Sequence, residues 1–187
     1  MLRYDKPDQE TLDVIKHQLG REPRGVLAVQ TLCAYGYPQV IVNRPVSATE
    51  SDIAIFPTLY WLTCPYLCRE MAVLEGEGLI AHFERRIQES PRFAALIEKN
   101  HEDYAKRRLS LVPFDVQERL KVEYPERYGV LAQSGVGGIR SSTGVKCLHT
   151  HVADYLVHGE NPIGAEVMAI FDQPLACPNK QCEGFGQ

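Results

Sequence analysis

The sequence predicts an α+β fold, a mostly helical single domain with a small N-terminal antiparallel β-hairpin. Two observations carry the prediction: β-branched runs are concentrated before residue 45, and apolar residues recur at helical spacing after residue 64. A third, the Gly/Pro turn Ala34-Tyr35-Gly36-Tyr37-Pro38 between two of those runs, makes the strands a hairpin.

Pro7 to Leu19 carries Leu12, Ile15 and Leu19 at helical spacing and stops at Gly20, a residue suited to the left-handed end of a helix. Gly25 to Leu32 and Gln39 to Asn43 are the hairpin strands. Beyond the polar stretch from Arg44 to Ala54, the segment Ile55 to Leu62 is apolar and aromatic enough for a third strand or a buried extended segment. Thr63-Cys64-Pro65 opens a helix, because proline in the first turn forfeits no hydrogen bond, and Leu67, Met71 and Leu74 mark its buried face up to Gly76. Gly78 restarts a helix to about Gln88. Ser90-Pro91 caps another that ends near Lys106-Arg107-Arg108, a basic cluster read as a solvated helix end and not as a nucleic-acid patch. Pro113, Pro125 and Gly129 divide the next stretch into short helices. The loop Ser134 to Gly144, rich in Gly and Ser, leads into a helix from Val145 to about His158 that Gly159 ends. The division is a single domain over 1–172 and a polar tail over 173–187.

At 187 residues, 44% hydrophobic and 24% charged, the chain has the composition of one compact domain and not of a disordered, fibrous or solenoid protein. Lys+Arg 20 against Asp+Glu 24 leaves a net charge of −4, which offers no general attraction to nucleic acid or to an anionic membrane. The first residues lack the apolar core of a secretory signal, and no apolar run approaches the ~18 residues of a membrane span. A cytoplasmic protein is therefore expected. Thiols stay reduced there, so the six cysteines are packing residues, metal ligands or reactive groups.

The helix after the glycine loop is the most informative. At about 100° per residue, Val145, Leu148, Val152, Tyr155 and Leu156 form its core face, whereas Cys147, His151, Asp154 and His158 fall within an arc of about 60° on the other side. His149 lies at the edge of the core face. Cys64 and Cys68 are also one turn apart, and facing Cys147 and His151 they would supply a Cys3His set for zinc, or part of an iron–sulfur site. The same spacing also suits cysteines that only pack. Cys177 and Cys182 form a C-x4-C pair two ligands short of a structural site, and they read as free tail thiols.

The Gly/Ser loop delivers backbone N–H groups to a helix start, with Arg140, Ser141, Ser142, Thr143 and Lys146 around it, which is a common way to bind an anion. It contains no P-loop pattern and follows no convincing strand, so neither a nucleoside-triphosphate nor a dinucleotide fold is supported. A mobile linker is the alternative.

Several blocks, in order, resemble a known family: Leu19-Gly20-Arg21-Glu22-Pro23-Arg24-Gly25; Cys33 with Gly36 and Pro38; Phe56-Pro57-Thr58-Leu59-Tyr60-Trp61-Leu62-Thr63-Cys64-Pro65; Gly144-Val145-Lys146-Cys147-Leu148-His149; and Gly159-Glu160-Asn161-Pro162-Ile163-Gly164. The family is bacterial and catalogued as a domain of unknown function, number five hundred and one in its series. The resemblance spans about Leu19 to Phe171 and brings no activity with it. It implies a ligand set of Cys33, Cys64, Cys147 and one of His149 or His151, and it leaves Cys68 and the tail pair outside the motif blocks. It also puts Arg21 and Arg24 in a motif segment, from which they could face a small anionic ligand together with Arg140 and Lys146. The expected function is a Cys/His metal site, of zinc or else iron–sulfur, beside an anion- or phosphate-binding loop. Two alternatives stay open: a non-catalytic protein-interaction module with packing cysteines, and a metal-free Cys/His nucleophilic enzyme.

Overall fold

The computed structural model describes residues 5–186. Helix α1 (Gln9–Leu19) starts where the Asp8 side chain accepts from Thr11 N at 2.9 Å and ends at Gly20, whose φ of 66° is the left-handed conformation that favours glycine. Strands β1 (Val26–Leu32) and β2 (Pro38–Asn43) form the expected antiparallel hairpin. The apolar segment that follows contributes β5 (Tyr60–Leu62), which pairs antiparallel with the free edge of β2, giving the order β1-β2-β5. Every residue of the central strand β2 is buried.

The stretch expected to be polar connection holds a second hairpin, β3 (Val46–Ala48) with β4 (Ile53–Ile55). Its cause is a small separate core: Val46 and Ile53 pack with Val112, Leu120 and Leu131, contacts that no local pattern announces.

Seven helices follow: α2 (Pro65–Gly76), α3 (Leu79–Glu89), α4 (Pro91–Leu109), α5 (Phe114–Glu123), α6 (Pro125–Gln133), α7 (Leu148–His158) and α8 (Pro162–Phe171). The glycine loop before α7 contains one short 3-10 turn, Val136–Gly138. Gly129 lies inside α6 and does not end it. Helix α7 is central, packed on α8, α2, β5 and the 3-10 turn, and Leu148, Val152 and Ala153 join the main core. At Gly164 the two helices approach so closely that a Cβ would run into the His151 carbonyl and the Tyr155 side chain, which explains the glycine of the Asn161-Pro162-Ile163-Gly164 block. No helix among the described residues is long and apolar enough to cross a membrane.

The basic cluster closing α4 is not the solvated end the sequence predicts. Lys106 is exposed, but Arg107 reaches the fully buried Asp154 at 3.1 Å, and Arg108 is itself fully buried. The Arg108 guanidinium donates to the carbonyls of Pro57 (2.8 Å), Leu131 (2.5 Å) and Ser134 (2.5 Å), with longer bonds to Val130 (3.3 Å) and Gly135 (3.5 Å). It thereby satisfies carbonyls that the end of α6 would leave without partners.

The polar side of α7 is likewise internal. Asp154 accepts from Asn100 (3.1 Å) and Asn161 (2.9 Å), while Asn161 Oδ1 accepts from Gly164 N (2.8 Å) and from His151 Nδ1 (3.2 Å). His158 meets the Tyr60 hydroxyl at 2.8 Å. Buried polar groups must find partners, and these find them across α4, α7 and α8.

Candidate metal centre

Helix α7 begins at Leu148, three residues later than its periodicity predicts. Val145 N donates to Glu84 Oε1 of α3 at 3.0 Å, and Cys147 is extended (φ −165°), so the chain turns helical only after the cysteine. The first free N–H of the helix, that of Leu148, donates to Glu75 Oε1 at 2.6 Å from the last turn of α2. A carboxylate is favoured there, because unpaired N–H groups and the helix dipole leave that end partly positive.

The same Glu75 oxygen lies 2.9 Å from His149 Nδ1, and His149 Nε2 lies 3.0 Å from the carbonyl oxygen of Cys68. Both partners are acceptors, so the ring donates from both nitrogens and is an imidazolium. Cys147 Sγ stands 3.4 Å from Thr150 Oγ1, whose hydroxyl donates to the Cys147 carbonyl at 3.1 Å. Burial pushes the Cys147 thiol up, but hydrogen bonds from His149 and Thr150 outweigh it, and the thiol sits below its ordinary range. The hydrogen bond with Cys147 raises His149 to about 9 against the opposing effect of burial, with Glu75 adding to the rise. Nearby Cys68 is pushed to about 12 by burial and donates to the Leu62 carbonyl at 3.3 Å.

Donor atoms of Glu75, Cys147 and His149 all lie within 4.8 Å of one another, and all three residues are half-buried. This Glu/Cys/His group can hold a metal ion. One sulfur, one imidazole nitrogen and one carboxylate oxygen make a borderline-soft set, and three protein donors leave a coordination position open.

The remaining expected ligands lie elsewhere. Cys33 is half-buried in the β1–β2 turn, Cys64 is buried as the N-cap residue of α2, and His151 is fully buried against Asn161, with its ring 6.3 Å from that of His101. Burial holds His151 near 3, as a neutral imidazole.

The expected anion-binding residues divide among three places. Arg21 and Arg24 line a cavity of about 590 Å³ with Asn43, Arg44, Phe56 and Trp61, and the Arg21 guanidinium lies 4.8 Å from the centre of the Trp61 ring. Arg140, Ser141 and Ser142 line a smaller groove of about 370 Å³ that also contains Glu98, His101 and Glu102. Lys146 donates to the Gly137 carbonyl at 2.5 Å, and Thr143 N donates to Ser141 Oγ at 3.2 Å, so both hold the loop's own shape.

Sequence reasoning missed Glu75 and Arg44. Arg44 was passed over inside a polar stretch. A signal for Glu75 exists, since Cys68 and Glu75 are seven apart and so lie on one line along α2, the line that faces His149.

No curated protein and no solved structure matches the chain. The profile of a family described as "Protein of unknown function (DUF501)" matches residues 29–169, about three quarters of the length, and the matched span contains Cys33, Cys64, Glu75, Cys147 and His149. The chain belongs to the DUF501 family.

Proposed function

We propose that this protein holds one zinc ion through Glu75 Oε1, Cys147 Sγ and His149 Nδ1, with the fourth position left for an exogenous ligand. The observation that carries the reading is the mutual approach of three unlike donors within 4.8 Å. Their surroundings support it: His149 Nε2 donates to a backbone carbonyl, as the second nitrogen of a metal-bound histidine commonly does, and Leu148 N orients the carboxylate. In the ion-free group the Nδ1 proton occupies the cation's place between Glu75 and His149. Zinc binding would displace that proton, and it would favour the thiolate of Cys147. Six free cysteines accord with the reducing bacterial cytoplasm, where we place this chemistry.

The test is elemental analysis of protein prepared without metal-affinity steps, followed by zinc titration of the chelator-treated chain. We expect His149→Ala and Glu75→Gln to lose this zinc while staying folded. Zinc content unchanged in both variants would refute the reading.

A small anionic ligand is the partner we propose. The Arg21–Arg24–Arg44 cavity supports it best, because no acidic residue lines it and none of the three arginines pairs with a carboxylate among the described residues. Stabilisation by inorganic phosphate or a nucleotide, lost in Arg24→Ala, is the expected result. Equal stabilisation of wild type and variant would exclude this cavity.

The second reading is a metal-free nucleophile. It is favoured by the placement of Cys147 at the start of α7 beside the imidazolium of His149, an arrangement that activates thiols. Its mark is fast alkylation of Cys147 in zinc-free protein, slowed by His149→Ala.

A further inference from the structure

The tail predicted to carry free thiols is packed down on the hairpin. Phe185 stacks on His17 of α1 with ring centres 5.4 Å apart, and Cys177 and Cys182 are 7% and 5% exposed. Three consecutive residues, Tyr37 at the end of the β1–β2 turn and Pro38 and Gln39 at the start of β2, anchor every cysteine-bearing segment of this region. The carbonyl of Tyr37 accepts from Cys33 N at 2.9 Å. The carbonyl of Pro38 accepts at 2.8 Å from Gln18 Nε2, which also donates to Cys182 Sγ at 3.3 Å. The carbonyl of Gln39 accepts from Thr63 N (2.8 Å) and Cys64 N (3.4 Å), and the Gln39 side chain donates at 2.6 Å to the carbonyl of Leu175, two residues before Cys177.

We infer that Cys33, Cys64, Cys177 and Cys182 form a tetrathiolate zinc site that fastens the C-terminal tail to the hairpin and to the start of α2. Four sulfurs drawn from three distant segments are a complete structural zinc set, since such sites are closed and four-coordinate. The sulfurs are also furnished for thiolates: Gln181 N donates to Cys177 Sγ at 3.3 Å, and Gln18 donates to Cys182 as described. Cys64 occupies the N-terminus of α2, whose partly positive end favours a bound anion. The thiols sense one another as well. Burial pushes Cys64 up and Cys182 adds to the rise, with Cys33 contributing to both.

Packing alone does not account for the arrangement. Cysteine is a small hydrophobe, and a tail this polar has little apolar surface with which to hold itself on the fold. Binding exchanges the four thiol protons, released to solvent, for one Zn²⁺, and leaves a centre of charge −2 that the N–H donors offset. None of these sulfurs belongs to a set of three donors within 4.8 Å among the described residues. Bonds of ~2.3 Å to a tetrahedral ion require sulfurs about 3.8 Å apart, so loading must draw the tail inward. Cys33, the half-buried member, gives the ion its way in. This centre shares no residue with the Glu75–Cys147–His149 group, and the two stand or fall separately.

The experiment uses the full chain, purified without metal affinity and analysed for zinc. Cys177→Ser and Cys182→Ser should each lose one equivalent that His149→Ala retains. Cobalt-loaded His149→Ala should show the strong charge-transfer band of several thiolates. A control, Cys68→Ser, should keep the equivalent. If the serine variants fail to fold, the wild type still answers: alkylation with mass-spectrometric mapping should find Cys33, Cys64, Cys177 and Cys182 protected together in zinc-loaded protein and released together by chelator. Full zinc retention in folded Cys177→Ser and Cys182→Ser overturns the inference. So does a disulfide among the four, or alkylation of Cys33 that chelator does not accelerate. A loss of zinc in His149→Ala without change in this protected set would bear on the Glu75 site alone.

Discussion

Replacing Arg108 by methionine tests the most heavily bonded side chain in the interior. Methionine keeps most of the stem volume and removes every donor. Three carbonyls lose strong charge-assisted bonds, those of Pro57, Leu131 and Ser134 at 2.5–2.8 Å. At roughly 2 kcal/mol each the gross loss is about 6 kcal/mol. The opposing effect is relief of a buried charge. Burial lowers the guanidinium from 12.5 to about 10, which at 1.36 kcal/mol per pH unit means that about 3 kcal/mol is recovered when the charge goes. The bonds win by about 3 kcal/mol, a large share of the ~5–15 kcal/mol that stabilises an ordinary domain. Urea unfolding should show the midpoint falling with an unchanged slope, because the surface exposed on unfolding is the same. Arg108→Lys, which keeps a charge but not the planar fork, should recover only part of the loss. A methionine variant within 1 kcal/mol of wild type would show that water or backbone shifts satisfy those carbonyls as well as the guanidinium does, and the reasoning would fail.

The buried His151 makes the fold sensitive to acid. Its folded pKa near 3 lies below the 6.5 of an ordinary histidine, so the unfolded chain binds the proton first, and stability complete above about pH 6.5 is lost as the pH falls toward 3. At pH 4.5 the deficit from this residue is on the order of 3 kcal/mol, and urea midpoints that do not change between pH 7 and 4.5 would contradict it. Gly164→Ala should destabilise by at least about 2 kcal/mol, since the new methyl meets the His151 backbone, which cannot swing aside as a side-chain tip could. Thermal melting within a degree of wild type would show that α8 moves freely away from α7.

The elements best read from sequence were those with local causes. Gly20, Pro65 and Ser90 sit at helix ends for reasons visible within four residues, and the hairpin around Gly36 follows from its turn. What escaped was settled by distant partners. The β3–β4 hairpin exists because Val46 and Ile53 find Leu131, and Arg108 is buried because α6 ends against it. The candidate metal group divides in the same way. Cys147 stood out on a stripe with His151, and His149 entered only with the family resemblance, whereas Glu75 arrives from 73 residues before Leu148, whose amide it holds, and nothing near Cys147 points to it. Periodicity set His151 apart from the core face of α7, but it could not say that this side too is interior, packed between α4 and α8.

The junction between the glycine loop and α7 is fastened by two borrowed carboxylates, Glu84 on Val145 N and Glu75 on Leu148 N. Neither amide has a partner of its own in the loop, so the posture of Cys147 between them depends on the α2–α3 pair lying in place. On the ribosome that pair emerges long before residue 145, and it can wait as a finished receptor for the later segment. In the mature protein the dependence runs the other way, since any breathing of α2 and α3 away from α7 frees both amides at once and scatters Glu75, Cys147 and His149. Amide hydrogen exchange should therefore find Val145 and Leu148 opening as a single unit, at a rate governed by helices they do not belong to.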